Sequence, residues 1–317
     1  MAIETYFNTA HVHLLLNHVP TLGTVIGLGL LLLSVVRRNE ALRHASLEVL
    51  FLVALMTLPA YLTGVAAQAS IEGREGVTPA IVDLHHDAAL AAFLLMQITG
   101  GAAWLALWQF RRRATFAGWV LPVILVLAGL TVAVVAQAAT LGGEIRHQEI
   151  RVEAAGPAIP GIGWLSNRGV IDVVTNTAWI WPAAETLHFI GLCLTLGVLG
   201  VVNLRLLGVM RGIPFAALHR LLPWGLLGFG ANLLTGMLFF IAMPTQYTEN
   251  GPFYWKMLFL VAAGANFLYV TVVDTAWRLD AGQDSGVLDK AFAGSAIVLW
   301  LGVIYWGRML PFLGNSF

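Results

Sequence analysis

The chain has 317 residues, of which 58% are hydrophobic and only 11% charged, with a formal net charge of zero and a mean hydropathy of +0.80. That composition lies outside the range of soluble domains, and the neutral balance gives no reason to expect a nucleic-acid partner. The single cysteine, Cys193, excludes intrachain disulfides, a C-x-x-C-H haem attachment and a self-contained iron–sulfur site.

Taken in chain order, apolar runs of about 20 residues recur at approximately 11–36, 46–69, 84–109, 116–141, 179–204, 218–243, 254–274 and 289–308, each long enough to cross a hydrocarbon core of roughly 30 Å. The runs are continuous rather than alternating, which selects helices over a barrel. The expected fold is all-α integral membrane, with eight transmembrane helices as two four-helix bundles. The opening residues lack a basic n-region and the first run is long enough to span, so it reads as a span rather than a signal peptide. Residues 154–163 are too rich in Pro and Gly for a helix. The chain therefore divides into a four-helix membrane domain over 1–150, a connection over 151–178 and a second four-helix domain over 179–317. Residues 164–178 are expected to form a short interfacial segment, with Trp164, Trp179 and Trp181 at headgroup depth. Cys193 falls mid-span, where a small buried packing residue is expected. No repeat relates the two halves.

Orientation follows from the loops. Arg37, Arg38, Arg43, Arg111, Arg112, Arg113, Arg205, Arg211, Arg220, Arg278 and Lys290 put eleven of the seventeen basic residues on one side. The other side carries Arg74, Arg146, Arg151, Arg168, Lys256 and Arg308, diluted by acids. The denser side is cytoplasmic by the positive-inside rule, so both termini and the 142–178 connection are expected in the periplasm of a bacterial inner membrane.

Six of the nine histidines then gather at the outer level. His11, His13 and His18 open the first span, His85 and His86 open the third, and His147 follows the fourth, three residues after Glu144. Imidazole is costly in hydrocarbon and is the commonest ligand of haem iron and transition metals. Adjacent His85 and His86 differ by about 100° on a helix and cannot both serve one centre, so the cluster has room for two ligand pairs. His18 and His86 are the leading iron ligands, with His13, His85 and His147 beside them and Arg146 or Arg151 available to haem propionates. On the inner side only His44 and His219 remain, near solvent and on different halves.

Residues 11–147 resemble an uncharacterised bacterial four-helix membrane domain family. The resemblance rests on His13-Leu14-Leu15-Leu16-Asn17-His18-Val19-Pro20, on His85-His86 and on Leu141-Gly142-Gly143-Glu144-Ile145-Arg146-His147. The family opens with an H-P-x-x-V-H-F-P-like motif and occurs beside c-type cytochrome modules; what the resemblance implies is haem binding. Leu14 and Asn17 stand where that family has proline and valine. Residues 164–274 resemble a second uncharacterised bacterial integral-membrane family. That match rests on Trp181-Pro182-Ala183-Ala184-Glu185-Thr186-Leu187-His188, Asn203-Leu204-Arg205-Leu206-Leu207-Gly208, Leu221-Leu222-Pro223-Trp224, Leu234-Thr235-Gly236 and Tyr254-Trp255-Lys256-Met257-Leu258; it implies architecture, not activity.

In the second half, Glu185 and His188 lie three residues apart on one helical face and could accept protons from a quinol. A buried polar pair joining helices is the plainer reading, as it is for Asn232, Asn266 and Lys256. Gly225, Gly228, Gly230 and Gly236 are expected at close helix contacts. The functional expectation is a cytochrome-b-like electron-transfer subunit of a larger complex, in contact with membrane lipid. It would hold one or two non-covalent haem b groups, exchanging electrons between quinone and a periplasmic c-type cytochrome or dehydrogenase. Two alternatives stand beside it: a structural membrane anchor without cofactor, and a periplasm-facing copper or zinc site using the same histidines with Glu144.

Overall fold

The structure is a computed structural model that describes residues 9–74, 76–147, 151 and 166–313. The 154–163 stretch and Trp164 lie outside the described residues. Every regular element among the described residues is helical: α1 (Thr9–Leu16), α2 (His18–Val36), α3 (Glu40–Ile71), α4 (Pro79–Arg113), α5 (Val120–Arg146), α6 (Asn167–Asn176), α7 (Ile180–Leu206), α8 (Phe215–Leu218), α9 (Leu222–Ala242), α10 (Pro244–Thr248), α11 (Gly251–Val272), α12 (Asp274–Trp277) and α13 (Val287–Leu313). With α1–α2 and α8–α9 each counted as one span, eight helices of 22 to 35 residues are long and apolar enough to cross a membrane. They coincide with the eight apolar runs, every end falling within two helical turns of the expected one.

Local chemistry sets the boundaries. The first span breaks at Asn17 because Pro20 has no N–H to return to the carbonyl one turn back. Asn39 caps α3 by accepting from the Leu42 N–H at 3.0 Å. Helix α7 ends in a Schellman turn: Gly208 adopts φ 86°, Val209 N donates to Leu204 O at 3.0 Å and Gly208 N to Arg205 O at 3.1 Å. A methyl at Gly208 would also stand 2.9 Å from Asp284 Oδ1, so glycine is needed there twice over.

The chain forms two compact units, residues 1–107 with 115–172, and residues 108–114 with 173–317. In the first, α2 packs on α3 and α5, and α1 packs on α3. Leu31, Leu50, Phe93, Met96 and Ile124 are buried at its centre. Polar side chains join its helices: Ser46 donates to Gly27 O at 2.8 Å, Gln97 Nε2 to Ala54 O at 2.8 Å, and the Thr99 and Thr131 hydroxyls meet at 2.8 Å. Helix α6 is tied to the same unit. Arg168 pairs with Asp83, Asn167 N donates to Asp87 Oδ1 at 2.8 Å, and Tyr61 bonds Asn167 Oδ1 at 3.2 Å.

In the second unit α7 crosses α9 where Gly191 meets Gly228; a methyl on either would lie 2.7 Å from the other's carbonyl oxygen. Gly225 likewise takes Val198 at 3.2 Å, but Gly230 faces open space and Gly236 meets only His188 at 3.8 Å, so two of the four glycines make the expected close contact. Asn266 joins α11 to α13 through Phe292 O at 3.0 Å and Ser295 Oγ at 2.9 Å, whereas Asn232 turns back to Gly228 O of its own helix at 3.0 Å. Cys193 is exposed on the α7 surface rather than buried, because the small residues that α7 turns inward are Gly191 and Thr195. Arg205, grouped with loop cations by sequence, is fully buried.

The α11–α13 connection carries an ion cluster. Asp284 accepts from Lys290 Nζ at 2.7 Å and lies 3.1 Å from Arg211 Nη2. The Lys290 hydrogen bond first, and then the Arg211 charge, hold the Asp284 carboxyl below the usual carboxylate range. A depressed folded-state value stabilises the fold above the ordinary aspartate pKa of about 3.9, and that stabilisation is lost as pH falls through the folded value. The group is exposed, so the effect is small. Asp284→Asn should lower the melting temperature slightly at pH 7, and the gap to the parent should narrow below about pH 4. A gap that widens in acid would contradict the pairing.

Candidate functional site

Two histidines of the first unit occupy matching seats. His13, on α1, donates from Nδ1 to Ala60 O of α3 at 2.9 Å, and its ring lies over Gly64, where a methyl would stand 2.8 Å from Cε1. His85, on α4, donates from Nδ1 to Ala138 O of α5 at 2.9 Å, and its ring lies over Gly142, where a methyl would stand 2.9 Å from Cε1. Each seat therefore uses an alanine carbonyl and the glycine one turn later on the next helix. A carbonyl can only accept, so Nδ1 carries the proton in both rings and Nε2 presents its lone pair. Neither Nε2 has a hydrogen-bond partner among the described residues. The two pairings, α1 with α3 and α4 with α5, repeat one device within the first unit.

His86 is half-buried beside them. It lies within electrostatic reach of His13, Asp83 and Asp87, and His85 feels both His13 and His86. His13 thus lies within electrostatic reach of both His85 and His86. His18 is exposed and bonds back to Leu14 O of the same span at 2.7 Å, a consequence of the break at Asn17. His11 and His147 are exposed. Glu144 is buried, at 5% exposure. Arg151 directs its guanidinium to the carbonyls of Glu144 at 2.8 Å, Gly76 at 2.6 Å and Ile145 at 3.4 Å, tying the end of α5 to the α3–α4 loop. Among the described residues no three His, Cys, Asp or Glu side chains are grouped to hold a metal ion.

His44 and His219 differ in setting. His44 is half-buried, its ring 5.5 Å from Phe116 in the first unit. His219, in the second unit, is buried rather than near solvent. Its ring lies 4.6 Å from that of Trp277, and its carbonyl accepts from Trp108 Nε1 at 3.0 Å. Of the second-half pair, exposed Glu185 accepts from Trp181 Nε1 at 3.3 Å, and His188 bonds Thr235 at 2.8 Å, so each side chain has its own partner.

The two seated rings are residues that could ligate a metal such as haem iron. Two imidazoles with Nδ1–H fixed by backbone carbonyls present Nε2 as iron-ligating histidines do, and the carbonyl raises the basicity of the ligating nitrogen. Gly64 and Gly142 supply the room each ring needs. Sequence reading passed over Gly64 and met Gly142 only within the resemblance, with no role given to it; what the two share is an alanine four residues earlier on a span next to a histidine-bearing one. The chain matches no protein family, and no curated protein or solved structure matches it.

Proposed function

We propose that the protein is a cytochrome-b-like electron-transfer subunit of a bacterial inner membrane, with His13 and His85 as axial ligands of non-covalent haem b. The paired imidazole seats, each with a committed Nδ1 and an open Nε2, are the observation that carries this reading. Bound there, the haem would supply a one-electron carrier between membrane quinone and a periplasmic c-type cytochrome or dehydrogenase. The protein's own part is to orient the two rings through Ala60 O and Ala138 O, and to hold them in a low-dielectric helix packing. His86, flanked by Asp83 and Asp87, stands ready to serve a second haem. The optical spectrum tests it: purified protein should show the sharp reduced bands of low-spin haem b, and a colourless protein from haem-supplied cells would overturn it.

The same reading places the seats and both termini on the periplasmic side, because eleven of seventeen basic residues, the buried Arg205 among them, lie in or next to the alternate loops. Reporter fusions after Arg38, Arg113, Arg211 and Gln283 should read cytoplasmic, and one within 154–163 periplasmic. A periplasmic reading at Arg113 would invert the orientation.

A further inference from the structure

A second polar site lies in unit 2, where three spans deliver complementary groups. His188 of α7 bonds Thr235 Oγ1 of α9 at 2.8 Å. Thr235 Oγ1 also lies 2.7 Å from Ala231 O, which can only accept; with the hydroxyl donating there, its oxygen accepts from His188 Nδ1. His188 Nε2 is therefore a lone-pair acceptor, and no described residue donates to it. Lys256 of α11 lies within electrostatic reach of this ring. Lys256 makes no ion pair with a described carboxylate; its stem runs along Gly307 of α13, with Nζ 3.8 Å from where a methyl would stand. An uncompensated ammonium in a span marks a functional site by default. Aromatic faces complete the surroundings: Phe239 lies 5.9 Å from the His188 ring, and Trp181 lies 4.7 Å from Phe239.

The combination selects among ligands. A carboxylate or a phosphodiester would satisfy Lys256 but would set its own lone pairs against His188 Nε2. The site asks for a molecule that accepts from an ammonium, donates to an imidazole and carries a flat ring for aromatic neighbours. We propose that this end of unit 2 binds the head group of a membrane quinol, one ring oxygen accepting from Lys256 Nζ and the opposite hydroxyl donating to His188 Nε2. The proposal deepens the electron-transfer reading, on which it rests for the quinone as partner, and assigns the residues that hold it.

The test is calorimetric titration of the full chain in detergent under anaerobic conditions, with decylubiquinol and with its dimethyl ether as probes. The ether keeps the ring and its oxygens but has no O–H to donate. Wild type should bind the quinol at least about ten-fold more tightly than the ether, the effect of one hydrogen bond lost beside a buried polar group. His188→Phe and Lys256→Met should each weaken quinol binding by about ten-fold or more. Thr235→Val, nearly isosteric, releases the imidazole tautomer and should weaken it several-fold, which keeps the test decisive if His188→Phe fails to fold. Equal affinity for ether and quinol, parental affinity in Lys256→Met and Thr235→Val, or displacement of the quinol by phosphatidylglycerol would each overturn the site. The visible spectrum is read from the same sample. Haem bands without quinol binding sink this site alone, and quinol binding without haem bands sinks the haem assignment alone.

Discussion

Replacing His13 or His85 with alanine is expected to abolish the reduced low-spin spectrum, leaving five-coordinate iron or no cofactor, because each variant removes one of the two assigned axial nitrogens. His18→Ala should be silent, since that ring is exposed and bonds within its own span. His44→Ala, in the ring contact with Phe116, should be silent as well. The glycines sharpen the test. Gly64→Ala and Gly142→Ala would each put a methyl within 3 Å of an imidazole carbon, so the ring must move off its seat. Alanine is also the better helix former, by about 0.8–1 kcal/mol per residue. Lower haem retention with an unchanged or raised melting temperature would thus locate the damage at the seat rather than in the fold. If both histidine variants keep the parental spectrum, the ligand assignment falls. Should His86→Ala alone remove it, the iron belongs to His86 and the matching of the seats is structural.

How much of this was legible in the sequence depends on what each conclusion requires. The spans follow from apolar length alone, so all eight were readable. That His13 comes within electrostatic reach of His85 and His86 follows from span order and was readable too. Which histidine is seated against a neighbouring helix does not follow from spacing, because it depends on where the ring finds its carbonyl. His13 and His18 look alike in sequence, but one finds a carbonyl on the next helix while the other finds its own. The break at Asn17 decides this, and Pro20 is its visible cause. The Ala60–Gly64 and Ala138–Gly142 seats were hidden for a related reason: glycine is common in apolar spans, and only the partner ring gives these two a meaning. His219 and Arg205 were misplaced because loop proximity was taken for exposure. Trp277 and Phe215 bury the first, and the returning carbonyls of two connections bury the second.

Arg205 should be among the most sensitive positions of the second unit. It is fully buried at the end of α7, where a cation meets the negative end of the helix dipole. Its Nε donates to Ile213 O, and its Nη2 donates to Asp280 O at 2.9 Å and Gln283 O at 3.2 Å, while Nη1 is buried without a hydrogen-bond partner. One planar guanidinium therefore clamps the α7–α8 and α12–α13 connections together, with no carboxylate among its partners. Arg205→Ala strips donors from three carbonyls and leaves a cavity, which should cost on the order of 3–5 kcal/mol. Arg205→Lys keeps the charge but replaces the rigid fork by a single point donor that cannot span all three oxygens, so it should recover only part of that loss. Thermal or denaturant unfolding in detergent micelles measures both. If the alanine variant melts within a degree or two of the parent, the clamp contributes nothing to stability. If lysine restores stability in full, the charge at the end of α7 is what matters, and the fork is incidental.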